Sequence, residues 1–269
     1  DVKKMNIFAK LNLSLKQKLI TILVVLVTVP LLVFGVISYN RQRNSIKNQV
    51  INTNQIFSNY LGDKITDYIS SNQELLKYLA ADKRIRAMNS KQQKELFQKF
   101  KEKYPIYEIV YATNLDGGLT GSSTEVAVKD YDEYSYADRD WYQVPLEGET
   151  YVSKTAYISR ETNRPCVTIS VPIKKNGKVV GVLGGDINLK KLQEVVSQAN
   201  ITNQGNAYLV DGAGTLIAHD DFKRVSNQEK LKENPVVKKI LQGKSGTQVY
   251  KNKQGTKMLG SYQTINKLG

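Results

Sequence analysis

Six residues in the middle of the chain hold the chemistry that its composition permits. The segment Tyr134-Ser-Tyr-Ala-Asp-Arg139-Asp-Trp141-Tyr142 contains the only tryptophan; Tyr157 follows fifteen residues after Tyr142 and Asp186 forty-four after it. These types supply two opposite poles. Arg139 offers a planar fork of N–H donors suited to a carboxylate, and Trp141 adds an indole N–H. Asp186 accepts from an ammonium, and tyrosine faces stabilise a cation. An α-amino acid presents a carboxylate and an ammonium a few ångströms apart, so the set has the composition of a zwitterion clamp. Gly184 shares a strand face with Asp186 and is read as leaving room for a ligand. A plainer reading stands beside this one. A Trp-Tyr pair commonly belongs to a core, and Arg139 could pair with Asp186, Asp138 or Asp140.

Composition narrows the alternatives. The 269 residues include one histidine, His219, and one cysteine, Cys166. A Ser-His-Asp triad or a His-based metal site would have to use His219, and neither an internal disulfide nor a cysteine-based zinc site can form. We therefore expect no enzyme, no cofactor and no metal. Hydrophobic residues make up 41% and charged residues 24%, ordinary for a globular chain. The formal charge is +14, but five lysines and one aspartate within residues 1–18 account for +4 of it, and no arginine-rich arm occurs. Nucleic acid is not an expected partner.

The elements that must position the six residues begin at a membrane. Residues 19–39, LITILVVLVTVPLLVFGVISY, carry no charge and have the length of a membrane-spanning helix. Pro30 within them is tolerated in such helices. A cleaved signal peptide would be shorter and marked by small residues, and no A-x-A follows. Lys3, Lys4, Lys10, Lys16 and Lys18 precede the span, and Arg41, Arg43 and Lys47 follow it. That bias puts residues 1–18 in the cytoplasm and everything from Asn40 outside, anchored in the cytoplasmic membrane.

Residues 40–104 read as helical. Val50, Phe57, Leu61, Ile65, Tyr68, Leu75 and Leu79 recur at spacings of 3, 4 and 7 from Arg41 to about Met88, and the stripe Val50–Ile65 is expected to pack in a parallel homodimer. A second helix near Lys91–Lys103 stops at Pro105. From residue 105 the period becomes two. Strands are expected at Ile106–Asn114, Tyr151–Ser159, Cys166–Ile173 and Lys178–Ile187, then a helix at Leu189–Gln198. Asn176-Gly177 is a two-residue hairpin turn. In its register facing residue numbers sum to 353, which sets Asp186 opposite Val167 and on a face with Gly184, Val182, Ile169 and Val171. Residues 205–269 begin a smaller pattern: Ala207–Asp211 and Thr215–His219 around Gly-Ala-Gly, a helix near Asn227–Leu241, and strands Gly246–Lys251 and Lys257–Thr264.

Apolar span, long helix, two sheet modules and the spacing Y-x4-R-x-W-Y together resemble the double Cache sensor domain of bacterial transmembrane receptors, over roughly residues 19–269. The series Tyr134, Arg139, Trp141, Tyr142, Tyr157 and Asp186 resembles that family's amino-acid-binding motif. The resemblance implies an α+β fold of two stacked PAS-like antiparallel modules: a membrane-distal module at 105–204 that binds the ligand and a membrane-proximal module at 205–269. It implies that Arg139 and Trp141 hold the ligand carboxylate while the tyrosine and aspartate positions hold the amine. Gly205–Asp211 and Leu216–His219 would open the proximal module, with His219 structural. Against that pattern a last strand and a second membrane span are missing, so the chain is expected to be an N-terminal fragment.

The function this implies is the sensory part of a chemotaxis receptor that recognises an L-amino acid and signals to downstream proteins through a C-terminal region. The same sensor on a histidine kinase or diguanylate cyclase is the alternative. A pilin-like subunit would need Gly-Phe at a processing site and a Glu five residues into the apolar run, and residues 19–39 hold no acid. The side-chain subsite of the ligand is expected around Tyr111–Leu119.

Overall fold

The computed structural model describes residues 14–124, 135–197 and 205–265. The chain divides into two units, 1–53 and 54–269. One helix, α1 (Leu15–Ala80), crosses that boundary and contains Pro30.

In the first unit the helix includes an 18-residue window of mean hydropathy 3.0, none of it buried, long and apolar enough to cross a membrane. Its threonines hide their polarity in the backbone. The Thr21 and Thr28 hydroxyls donate to the carbonyls of Gln17 and Val24 at 2.9 and 2.8 Å.

The second unit is a mixed α and β structure with antiparallel sheets. After α1 come α2 (Lys83–Arg86) and α3 (Ser90–Lys103), started by side-chain caps from Asp82 and Asn89. A six-stranded sheet follows, built from β1 (Tyr107–Thr113), β2 (Leu119–Ser122), β3 (Tyr151–Val152), β4 (Tyr157–Ile158), β5 (Pro165–Lys175) and β6 (Lys178–Asn188). Its order is β2-β1-β6-β5-β3, with β4 also on β5. Helix α4 (Asp140–Leu146) precedes β3, and α5 (Leu189–Ser197) follows β6.

The hairpin turn forms as expected, with Asn176 and Gly177 at φ 51° and 79°. The register does not hold. Lys175 faces Lys178 and Lys174 faces Val179, but Ile173 faces Gly181, so Val180 is an extra residue in β6. A glycine permits this bulge, since a Cβ on Gly181 would stand 2.2 Å from the Thr113 carbonyl oxygen of β1. Beyond the bulge every partner moves by one residue and the faces exchange. Asp186 faces Thr168, not Val167, and Gly184 faces Ser170.

The exchange sorts the sheet into two faces. Val110, Ala112, Val167, Ile169, Val171, Leu183 and Ile187 join Leu61, Ile65, Ile69 and Leu76 of α1 in the main core. Leu61 and Ile65, expected in a dimer stripe, are thus buried inside their own chain, while Val50 is exposed. The opposite face holds a smaller aromatic core of Ile109, Tyr111, Tyr136, Trp141, Tyr142 and Val182. Two adjacent glycines thin the sheet between them. A Cβ on Gly184 would meet the Tyr111 ring at 2.5 Å, and one on Gly185 would meet Tyr107 at 2.8 Å.

The strand expected over Tyr151–Ser159 is two short pieces. Ser153 still donates to Thr168, but Lys154–Ala156 leave the sheet and pair elsewhere: the Lys154 carbonyl accepts from Gly212 and the Ala156 amide donates to Asp211. The partner is a hairpin of β7 (Leu209–Val210) and β8 (Leu216–Ala218). Of the helix expected over Asn227–Leu241 only the later part forms. Helix α6 (Phe222–Ser226) ends before that range begins, and residues 229–231 bond to Leu216 and Gly214 along the hairpin. Helix α7 (Pro235–Ile240) starts afresh, with Pro235 in its first turn and Asn234 as cap. Strands β9 (Gly246–Lys251) and β10 (Lys257–Tyr262) pair antiparallel.

Candidate functional site

The aromatic face of the large sheet gathers five of the six expected residues; Tyr134 lies outside the described residues. Strand β6 carries Asp186 into this face, where it is 1% exposed. Its Oδ1 accepts from the Thr168 hydroxyl at 2.6 Å and the Tyr111 hydroxyl at 3.1 Å, and its Oδ2 faces the Cys166 thiol at 3.4 Å. Thr168 and Cys166 follow from the shifted register, because Thr168 is the cross-strand partner of Asp186 and Cys166 lies two residues along the same face. The Tyr157 hydroxyl is bonded to Thr168. Since the Thr168 proton serves Asp186, Tyr157 is the donor in that pair.

Burial pushes the Asp186 carboxyl up to about 6; the hydroxyls of Thr168 and Tyr111 pull it back and the charge of Glu161 adds to the rise. Tyr111, Tyr157 and Cys166 are all raised, burial first and the Asp186 charge second. Asp186 is therefore an ionisable group whose hydrogen-bond partners are neutral hydroxyl and thiol donors.

The other pole sits at the start of α4. Arg139 is the N-cap residue, with φ −94° and ψ 133°, and its side chain makes no capping bond. The guanidinium is left free to lie 5.8 Å from the Tyr157 ring centroid and 3.8 Å from Asp138. Asp138 also lies 4.0 Å from Arg160, so one exposed carboxylate stands loosely between two guanidiniums. The pairing of Arg139 with Asp186 that the sequence left open is not the one formed. Trp141 and Tyr142 follow in the first turn and are buried. The Trp141 ring stacks edge-on to Tyr111 at 5.1 Å, its carbonyl accepts from Ser170 at 2.6 Å, and the Tyr142 hydroxyl donates to the Leu115 carbonyl at 2.7 Å.

Gly184 does not open space for a ligand as the sequence implied; the Tyr111 ring occupies that space. Sequence reasoning also missed Thr168, Ser170, Ser159, Tyr136 and Glu161. The signal for the first two was present, since Thr168 and Ser170 alternate with Val167, Ile169 and Val171 and mark a polar face. Tyr136 and Ser159 both donate to Glu161. His219 accepts from the Asp221 amide at 2.9 Å and contacts Arg224, away from this face.

The family model dCache_1, a Cache domain, matches residues 42–269. The chain belongs to the Cache domain family. It is 26% identical over 218 residues to the methyl-accepting chemotaxis protein PscA of Pseudomonas syringae, covering 80% of this chain and 33% of PscA. A protein of Syntrophus aciditrophicus named citrate (Re)-synthase is 30% identical over 126 residues, 44% of this chain and 20% of that protein. The Cache chain described here thus spans a third or less of these relatives. Among solved structures, the ligand-binding domain of the Campylobacter jejuni chemoreceptor Tlp3 in complex with L-valine superposes with a TM-score of 0.63 at 21% identity, covering 82% of this chain and 91% of that one. That of the Pseudomonas fluorescens chemoreceptor CtaA in complex with L-serine gives 0.62 at 20%, covering 79% and 89%. These likenesses establish the double Cache fold.

Proposed function

We propose that this chain is the sensory part of a transmembrane chemotaxis receptor and that the aromatic face of its large sheet binds an L-amino acid. Arg139 and Trp141 take the ligand carboxylate; Asp186 takes the ammonium with Tyr142 and Tyr157, and Tyr134 is assigned to the same pole by the motif alone. The observation that carries this reading is Asp186: a carboxylate buried to 1% exposure whose hydrogen-bond donors are neutral hydroxyls and a thiol. A buried ionisable group with a shifted pKa among aromatic side chains is a candidate for a binding site, and an ammonium is the charge complement of its carboxylate. The amino acids in the Tlp3 and CtaA complexes agree with this, and the name of PscA favours a chemotaxis output over a kinase or cyclase.

In this reading the module reports and does not catalyse. Residues 105–204 form the membrane-distal module and 205–269 the membrane-proximal one. The apolar helix anchors them on the outer side of the membrane, and residues C-terminal to this chain reach the signalling proteins. The receptor is a parallel homodimer; after the burial of Leu61 and Ile65, its contact falls to exposed apolar residues such as Ile46 and Val50. A thermal-shift screen of the full chain against the twenty common L-amino acids tests the reading. At least one should raise Tm by mass action, and none should do so in Arg139→Ala or Asp186→Asn. A wild type blind to all twenty refutes it.

A further inference from the structure

The loop between β4 and β5 brings a second carboxylate to the ammonium pole. It closes on itself, with the Ser159 amide donating to the Arg164 carbonyl and the Asn163 amide to the Ser159 carbonyl, both at 2.9 Å. Asn163 takes φ 53°, a left-handed conformation that asparagine tolerates. At the tip Glu161 turns inward. Its Oε1 accepts from Tyr136, and its Oε2 accepts from the Ser159 hydroxyl at 2.9 Å. Tyr136 and Ser159 are both buried, and the Tyr136 ring lies 5.3 Å from Trp141 and 6.5 Å from Tyr111. Glu161 is thus seated on the aromatic cluster through two neutral donors.

Asp186 stands on the same cluster, bonded to the Tyr111 hydroxyl at 3.1 Å, and the charge of Glu161 adds to the rise of its carboxyl. Two carboxylates seated on one aromatic cluster oppose each other. An ammonium relieves that opposition, because its N–H groups can serve two acceptors at once.

We propose that Glu161 is a ligand-binding residue, the second acceptor for the ammonium of the bound amino acid, acting together with Asp186. The proposal rests on the sensory reading above. Arg160, adjacent in the loop, lies 5.6 Å from the Tyr136 ring and 4.0 Å from Asp138, so the loop contributes to both poles of the clamp.

The test uses the full chain and, as probe, whichever of the twenty common L-amino acids gives the largest thermal shift. Glu161→Gln keeps an oxygen to accept from Tyr136 or Ser159, removes the charge, and sets an amide N–H2 against the other hydroxyl, which must turn to accept. Losing one charge-assisted bond should weaken binding about tenfold or more in calorimetry at pH 7.5. The pH profile tests whether Glu161 acts together with Asp186, and Tyr136→Phe tests loop support. The titratable groups facing Asp186 are Tyr111 from β1, Tyr157 from β4, Cys166 from β5 and Glu161 from the loop. Burial keeps the first three neutral, and the charge of Glu161 adds to the rise of the Asp186 carboxyl. Wild-type affinity should fall as pH drops through about 6. In Glu161→Gln that fall should come at lower pH, narrowing the gap to wild type at pH 5.5. Tyr136→Phe, which leaves both charges, should keep the wild-type profile. Glu161→Gln binding within twofold of wild type, or weakened equally at both pH values, overturns the proposal. If Asp186→Asn and Arg139→Ala abolish binding while Glu161→Gln does not, only the role of Glu161 falls; if those two bind normally, the whole site assignment falls with it.

Discussion

Asp186→Asn is the perturbation whose two effects run in opposite directions. In the ligand-free protein the carboxyl stands at about 6 against an ordinary 3.8. An acid raised on folding is bound to its proton more tightly in the folded state. Its contribution to stability is complete below pH 3.8 and is lost as pH rises through about 6. Above that window the ionised group costs about 3 kcal/mol at ~1.4 kcal/mol per decade. Asparagine carries no such cost. Its Oδ1 can still accept from Thr168 and Tyr111, and its amide faces the Cys166 sulfur. At ~2–4 °C per kcal/mol for a domain of this size, the ligand-free Tm at pH 7.5 should rise by several degrees, and the difference from wild type should vanish near pH 4. Ligand binding should move the other way. Removing one partner of a buried ion pair costs about 3–5 kcal/mol, so the dissociation constant should increase at least about a hundredfold. Melting curves from pH 4 to 8 and calorimetry on the same protein decide the matter. A ligand-free Asp186→Asn that melts lower than wild type at neutral pH would refute the reasoning, because Asp186 would then be a structural acceptor.

Arg139→Ala should weaken binding by about a hundredfold with little change in ligand-free Tm, since its ion pair with Asp138 is long and partly exposed; a large Tm loss in melting experiments would make it structural. Gly184→Ala drives a methyl into the Tyr111 ring at 2.5 Å and should destabilise by about 1–3 kcal/mol, measured by urea unfolding. Asp211→Ala removes the acceptor of the Ala156, Ala213 and Thr215 amides and should speed hydrogen exchange at all three, whereas an effect confined to Ala213 and Thr215 would argue that Ala156 is held by other means. Single cysteines at residues 45–60 of the membrane-bound receptor should cross-link with a helical period that includes Ile46 and Val50; a flat profile would count against the dimer.

What could be read from the chain depended on whether a local rule or a distant contact decided the outcome. Asn176-Gly177 forced its turn, and Gly246–Lys251 appeared where its alternation placed it, because both depend on neighbours in sequence. The register beyond the turn depended on Gly181 meeting the Thr113 carbonyl, sixty-eight residues away, and no local pattern announces that contact. The consequence for the site was direct: one extra residue replaced Val167 by Thr168 beside Asp186. The alternation of Thr168 and Ser170 with valines and isoleucines was a legible warning. So was Asn234-Pro235, a helix start inside what the periodicity rendered as one helix. Arg139, Trp141, Tyr142, Tyr157 and Asp186 come together because α4 packs on the face that β6 presents and β4 pairs with β5 beside it; Glu161 was invisible, since nothing near it in sequence shows where a six-residue loop will fold back.

The break between β3 and β4 connects the site to the rest of the chain. Tyr157, bonded to the Thr168 that holds Asp186, is one residue from Ala156, whose amide donates to Asp211 at 2.7 Å. The other oxygen of Asp211 accepts from Ala213 and Thr215, at 2.9 and 2.8 Å, and the Gly212 amide donates to Lys154 at 2.8 Å. A regular strand over residues 151–159 would have spent these backbone groups on β5. By leaving the sheet, Lys154–Ala156 join the β7–β8 hairpin to the residue next to Tyr157 on the aromatic face. A ligand shifts a conformational balance only by its differential affinity for the two states. A change that moves Tyr157 must carry Ala156 with it or break a bond to a buried carboxylate. Under the proposed sensory reading, the loss of three strand residues from the sheet is therefore what links the hairpin to Asp186 through Tyr157 and Thr168.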